Sequence, residues 1–193
     1  LIDAGFRYAA TANADNLGAA PSAKVAGWFA SSGAPYAAEV CKRTLADVKG
    51  GHLAVRNSDG RIILRDTAQT PSDQMHYFTD QYRHPYFHTN NLWFDLVALR
   101  EVLRQRDGVL GLPLISNAKT VNPADSTTPV VQIECAMGAA IEAFEGASAI
   151  EVPRSRFLPV KTTNDLMVLR SDAYEIDAAG HLHATVDQVC VAE

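Results

Sequence analysis

Short apolar runs closed by turn-forming residues alternate along this chain with longer segments of helical period. The first run, within "GFRYAATANADNLGAA", predicts a strand from about Phe6 to Ala12, apolar on both faces and stopping at Asn13-Ala14-Asp15-Asn16. Runs of that kind suit a sheet covered by helices. "PSAKVAGWFASSG" predicts a helix with Pro21 near its start and Gly33 just past its end. "YAAEVCK" reads as a second strand, and "HLAVRNSDGRIILRD" as a hairpin turning at Asp59-Gly60. In "TNNLWFDLVALREVLRQRDG", Leu92, Leu96, Leu99 and Leu103 recur on one helical face, with Asn90 or Asn91 as the cap and Gly108 beyond the last turn. "VVQIE" predicts a strand, "CAMGAAIEAFEG" a helix ending at Gly146, and "SAIEV" another strand. Strands alternating with helices predict an α/β fold with a mixed, mostly parallel sheet, at least one antiparallel hairpin and helices on both faces. No internal repeat, low-complexity run or domain boundary interrupts the pattern.

Composition narrows the function classes. At 193 residues, 47% hydrophobic and 20% charged, the chain fits one globular domain, or one with a small extension. Its net charge of -5 excludes the broad basic surface that a general nucleic-acid binder needs, so any anion recognition must be local. Cys41, Cys135 and Cys190 are odd in number and far apart, which suggests neither a disulfide framework nor a zinc site and fits a reducing cytoplasm. No apolar run reaches the roughly 18 residues of a membrane span, and no signal pattern opens the chain. The sequence starts at Leu1 and runs straight into an apolar strand, as a piece of a longer protein would.

Candidate chemistry lies at four places. Asn13, Asp15 and Asn16 sit at the carboxyl end of the first strand, where open α/β sheets bind ligands; Asp15 offers a hard oxygen for Mg²⁺, though these residues also make good turns. Lys49-Gly50-Gly51 pairs a cation for phosphate with backbone that a ligand can approach closely. "YFHTNNLW" crowds Tyr86, Phe87, Trp93 and two asparagines, a mixture suited to a sugar face or to a core. In "VPRSRFLPVKTTNDL", Arg154, Arg156 and Lys161 share a segment that Pro153 and Pro159 stiffen, with no carboxylate before Asp165. A stiff loop holds a cation ready for charge developing in a reaction, but arginines in loops also serve as ion-pair partners. No G-x-x-x-x-G-K-[ST] or G-x-G-x-x-G motif occurs.

In this order and at these separations, "NADNLGA", "TLADVKGG", "HTNNLW", "GAAIEAFEGA" and "VPRSRFLPVKTTNDL" resemble the eukaryotic-type UDP-glucose pyrophosphorylase (UTP–glucose-1-phosphate uridylyltransferase) family over roughly residues 6 to 175. The resemblance implies an incomplete Rossmann-like, nucleotidyltransferase-like domain over residues 1–175, with 176–193 beginning a β-rich extension. It implies reversible, Mg²⁺-dependent uridylyl transfer between UTP and glucose 1-phosphate by the full-length protein, giving UDP-glucose, with no nucleic-acid or membrane partner and homo-oligomerisation of the whole enzyme. By matching positions, Lys161 is the catalytic cation on the phosphates, and Asp15 lies by the phosphates and the metal. Asn13, Lys49, Gly50, Gly51, Asp66, Asn90 and Asn91 complete the expected substrate site. Asp66 stands where the family usually has Glu, His88 replaces the Asn before T-N-N, His52 follows the paired glycines where Thr is usual, and Asn164 replaces Ser. The family's glycine-rich phosphate loop has no counterpart in this sequence. The isolated piece is therefore expected to be inactive, and a nucleotide-sugar binding module without catalysis stands as the alternative.

Overall fold

The computed structural model describes residues 1–44, 47, 50–67, 70–122 and 125–186. In chain order the elements are β1 (Tyr8–Thr11), α1 (Ala23–Ser32), β2 (Tyr36–Lys42), β3 (His52–Val55), β4 (Ile62–Arg65), α2 (Met75–Phe78), β5 (Tyr86–Asp95), α3 (Leu96–Gln105), β6 (Leu114–Asn122), β7 (Asp125–Cys135), β8 (Ser148–Glu151), α4 (Thr163–Leu169), β9 (Tyr174–Ile176) and β10 (Leu182–Ala184). Short 3-10 turns occupy Met137–Ala143 and Arg154–Arg156. The architecture is mixed α/β.

The main sheet has the order β1-β5-β2-β8. β5 runs antiparallel to both β1 and β2, and β8 runs parallel to β2. The sheet is mixed, and the expected mostly parallel character does not describe these strands. Apolar periodicity reveals a strand without saying which way its neighbour runs. Three further antiparallel pairs, β3–β4, β6–β7 and β9–β10, stand outside this sheet.

Helical segments cover both faces. On one, Val25 and Phe29 of α1 pack on Ala37, Cys41, Phe87 and Trp93. On the other, Ile141 and Phe144 pack with Tyr36, Ala38, Leu92 and Phe94, and Leu99 and Val102 of α3 lean on the same cluster. Phe29, Tyr36, Leu92 and Ile141 are fully buried, each such side chain stabilising the fold by about 1.5–3 kcal/mol. Among the described residues no helix is long and apolar enough to cross a membrane.

α1 forms where expected. Ser22 caps it by accepting from the Val25 N–H, and Gly33 closes it with a left-handed φ of 69°. The second long helix starts later than its leucine spacing predicts. Asn90 and Asn91 lie inside β5, and Asp95 is the cap, its carboxylate accepting from the Val97 and Ala98 N–H groups. A strand buried on both faces shows no alternation, so the helical period of α3 reads backwards into it through Leu92. The segment expected as a helix before Gly146 is the 3-10 turn Met137–Ala143, and the first strand is confined to Tyr8–Thr11.

Candidate active site

A local irregularity in the sheet arranges the candidate site. β2 and β5 pair regularly at Ala38↔Leu92 and again at Val40↔His88, leaving Thr89, Asn90 and Asn91 facing Glu39 alone. Such a bulge re-aims the side chains it carries. Asn90 takes φ 60° there, a left-handed conformation that asparagine adopts more readily than most residues. Its side chain turns outward and donates to Asn13 Oδ1 at 2.9 Å. Asn91 turns inward, donating to Glu39 Oε2 at 3.0 Å.

Opposite the bulge, the segment after β1 pairs with the cationic loop. Leu17 N–H donates to Leu158 O and Val160 N–H to Asp15 O, an isolated bridge joining Asn16 and Pro159. This pairing brings the Lys161 ammonium onto Asp15 Oδ2. Gly18 permits the approach: a Cβ on it would lie 2.3 Å from Ser155 O and 2.7 Å from Arg156 C. Asn16 is a structural tie, its Oδ1 accepting from the Leu158 and Gly18 N–H groups and its Nδ2 donating to Asn91 and to Arg156 O.

The arginines of the loop face inward. Arg156 forms two hydrogen bonds to Glu39, at 2.7 and 2.8 Å. Glu39 is fully buried and also accepts from Trp93 Nε1 at 2.9 Å. Arg154 grips Asp47 at 2.8 and 3.0 Å. Lys161 is left as the loop cation on the cleft side.

The resulting cleft holds about 280 Å³ and brings together Asn13, Asp15, Gly50, Gly51, Asp66, Asn90 and Lys161, with Leu64, Phe87, His88, Ala136 and Phe157 as further walls. Asn91 is not among its lining residues and works in the buried network below. Lys49 lies outside the described residues. Of the aromatics in "YFHTNNLW", Phe87 reaches the cleft, Trp93 is core, and Tyr86 donates to Glu151 at the surface. Gly50 has φ 139°, and its carbonyl accepts from Arg43 Nη2, while Gly51 O accepts from the His88 N–H. Burial drives two histidines here toward the neutral form. His88 is lowered to about 4 by burial, and His52 to about 3 by burial and by the positive neighbours His84, Arg43 and Arg65.

The chemistry open to this cleft is charge handling. Asp15 Oδ1 is buried with no partner among the described residues, and no group of three or more His, Cys, Asp or Glu forms a metal cage among them. One unpartnered hard oxygen on a carboxylate suits Mg²⁺, which usually takes one or two carboxylates plus phosphates. Glu39 and Asp47 escaped the sequence reading. Each is an acid far from its arginine in the chain; Glu39 shows only as a charge inside the apolar run "YAAEVCK", and Asp47 lies in "TLADVKGG" with nothing to mark its partner.

The family model described as UTP–glucose-1-phosphate uridylyltransferase (UDPGP) matches residues 1–191. The chain belongs to this family. A probable UTP–glucose-1-phosphate uridylyltransferase of Schizosaccharomyces pombe is 38% identical over 177 residues, covering 92% of the chain and 34% of that relative. The UTP–glucose-1-phosphate uridylyltransferase of Hordeum vulgare is 40% identical, covering 91% of the chain and 36% of the relative. Among solved structures, a UDP-glucose phosphorylase from Trypanosoma brucei superposes with TM-score 0.86 at 42% identity, covering 95% of this chain and 39% of that one. A mutant UDP-glucose pyrophosphorylase from Leishmania major in complex with UDP-glucose gives TM-score 0.84 at 44% identity, covering 98% and 42%. This member of the uridylyltransferase family thus spans about a third of the length of the curated relatives it matches.

Proposed function

We propose that this chain is part of an enzyme that transfers a uridylyl group between UTP and glucose 1-phosphate, giving UDP-glucose and pyrophosphate. The observation that carries the reading is the convergence of Asp15, Lys161, Asn13, Asn90 and the Gly50-Gly51 backbone on one cleft in a chain of this family. The reaction needs no protein nucleophile. A phosphate oxygen of glucose 1-phosphate attacks the α-phosphorus of UTP in line, and pyrophosphate leaves. The protein must align two polyanions and cancel their charge. Lys161, on a segment stiffened by two prolines and two arginine clamps, meets the phosphates as charge builds on them. Asp15 shares that region and would hold Mg²⁺ through its free oxygen. Bound there, the ion would neutralise charge on the α- and leaving phosphates. Asn90, Asp66 and the Gly50-Gly51 backbone bind the sugar and Asn13 the sugar or ribose side of the ligand; Asn91 supports them from below, and Lys49 serves a phosphate. We further assign residues 1–175 to a Rossmann-like catalytic domain and 176–193 to the start of a β-rich extension. Free thiols at Cys41 and Cys135 suit a cytoplasmic enzyme, and the whole protein is expected to self-associate.

The test is turnover of the full-length protein with UTP, Mg²⁺ and sugar 1-phosphates. Lys161→Ala should lower kcat by on the order of 10²–10³ while circular dichroism is unchanged. Retention of wild-type turnover in that variant would remove Lys161 from the mechanism, and no turnover by the wild type with any sugar 1-phosphate would sink the reading itself.

A further inference from the structure

Glu39 stands at a core position of β2, between the buried Ala38 and Val40, with its side chain fully withdrawn from water. A buried carboxylate is costly unless donors satisfy its oxygens. Four contacts do so here: Arg156 Nε at 2.7 Å and Nη2 at 2.8 Å, Trp93 Nε1 at 2.9 Å and Asn91 Nδ2 at 3.0 Å. Well-packed apolar side chains in place of a buried ion pair often leave stability unchanged or raise it. Stability alone therefore does not account for the pair. What a fully satisfied buried network adds is a single fixed arrangement.

That arrangement ties the two walls of the cleft together. On one wall, both residues that flank Asn90 in the bulge are held by Glu39. Thr89 Oγ1 donates to its backbone carbonyl at 2.8 Å, and Asn91 to its carboxylate. On the other wall, Arg156 starts the stretch that leads to Lys161. Its guanidinium is held by Glu39 and by the Ala20 carbonyl, and its own carbonyl accepts from Asn16 and Asn91. Beyond it the chain is pinned at Leu158 by Asn16 Oδ1 and at Val160 by Asp15 O, which delivers the Lys161 ammonium to Asp15. Glu39 is not among the residues lining the cleft; it holds both walls from behind.

We propose that Glu39 is a positioning residue for uridylyl transfer: by clamping Arg156 against the β5 bulge, it sets where Lys161 meets the reacting phosphates relative to a sugar bound at Asn90. The inference rests on the uridylyl-transfer reading and adds to it the residue that aligns the two walls. Displacing a group that must meet developing charge by about 1 Å can cost on the order of 10²-fold in rate.

Two conservative substitutions loosen the clamp without stranding a charge. Glu39→Asp keeps the carboxylate but draws it back by one carbon–carbon bond. Arg156→Lys keeps the cation but lacks the fork that makes two bonds. In both, the Thr89 bond to backbone and the Asn16–Asn91 bond remain, so the loop is disturbed more than the bulge. The full-length protein is assayed with UTP, Mg²⁺ and glucose 1-phosphate, each substitution being made alone and together with Lys161→Ala. The temperature is one at which circular dichroism shows the variants folded, and either substitution completes the cycle independently of the other. Alone, each should lower kcat by about 10–100-fold, with the KM values little changed. Added to Lys161→Ala, neither should lower kcat by more than about a further twofold, because residues that act through one another are not additive. Equal fold losses with and without Lys161, or wild-type kcat in the single variants, would overturn the assignment and leave a purely structural ion pair. Wild-type turnover in Lys161→Ala would remove Lys161 from the mechanism and this role of Glu39 with it. Absence of turnover by the wild type would instead defeat the reaction reading itself.

Discussion

Gly18 carries no chemistry, yet it sets how closely the two halves of the candidate site approach. The backbone of Ser155–Phe157 lies so near its Cα that a methyl would overlap Ser155 O at 2.3 Å and Phe157 N at 2.9 Å. Backbone atoms held by the Asn16 and Leu158 hydrogen bonds have little freedom to yield, so overpacking here is costly. Gly18→Ala should destabilise the protein by about 1–3 kcal/mol and separate Lys161 from Asp15, which urea unfolding and turnover would register together. Wild-type values of both would show that the segment is looser than this contact implies. At this scale the sequence is informative about which residues come together: Asp15, Lys161, Asn13 and Asn90 stand out by type and motif and do meet in the cleft. It was silent where a residue acts through a distant partner. Glu39 and Arg156 are 117 positions apart, and no local pattern announces that they will pair.

At the scale of elements, the loop from Val152 to Lys161 is held by two ion pairs of unequal burial. Side-chain exposure is 14% for Arg156 and 0% for Glu39, against 24% and 8% for Arg154 and Asp47. Removing Arg156 strands a carboxylate with no access to water. Arg156→Ala should therefore cost about 3–5 kcal/mol, visible as a lower urea midpoint at unchanged m, with Arg154→Ala costing less. Near-wild-type stability in the Arg156 variant would mean that Glu39 can be protonated or rehydrated cheaply. Both guanidiniums are bonded to carboxylates, so Arg154→Ala should retain far more turnover than Lys161→Ala. The stiffness of the loop was legible from Pro153 and Pro159; its anchors were not. The boundary between β5 and α3 is hidden from the sequence for a related reason. Asn90 and Asn91 are good caps by type, but the bulge opposite Glu39 uses them inside a strand. Strand direction was out of reach altogether, because β1, β2 and β5 are short apolar or mixed runs whose pattern is the same in either orientation.

For the whole molecule, the relevant charges are those suppressed by folding. His88 sits at about 4 and His52 at about 3 through burial, the latter reinforced by His84, Arg43 and Arg65, and His84 is lowered as well. Unfolded, each histidine would titrate near 6.5. Between that value and the folded one, the unfolded chain binds protons that the folded chain refuses, so stability is full above about pH 6.5 and falls as pH drops. Each fully suppressed histidine contributes at most about 1.4 kcal/mol per pH unit to that slope. Aspartates held low by hydrogen bonds, such as Asp59 and Asp165, act only further down, near and below pH 4. From pH 6.5 to 4.5 the histidines therefore dominate. His52 stacks on His84 with ring centroids 3.9 Å apart and against Phe78, a slot that a phenylalanine can fill. Urea unfolding of the full-length protein at pH 7, 6 and 5 should show falling stability, and His52→Phe should flatten the slope by up to one proton. Equal stability at pH 7 and pH 5, or an unchanged slope in the variant, would refute the assignment. His52 follows Gly51 in the chain, and the His88 N–H bonds to Gly51 O. The acid sensitivity is thus built into the same wall that shapes the cleft.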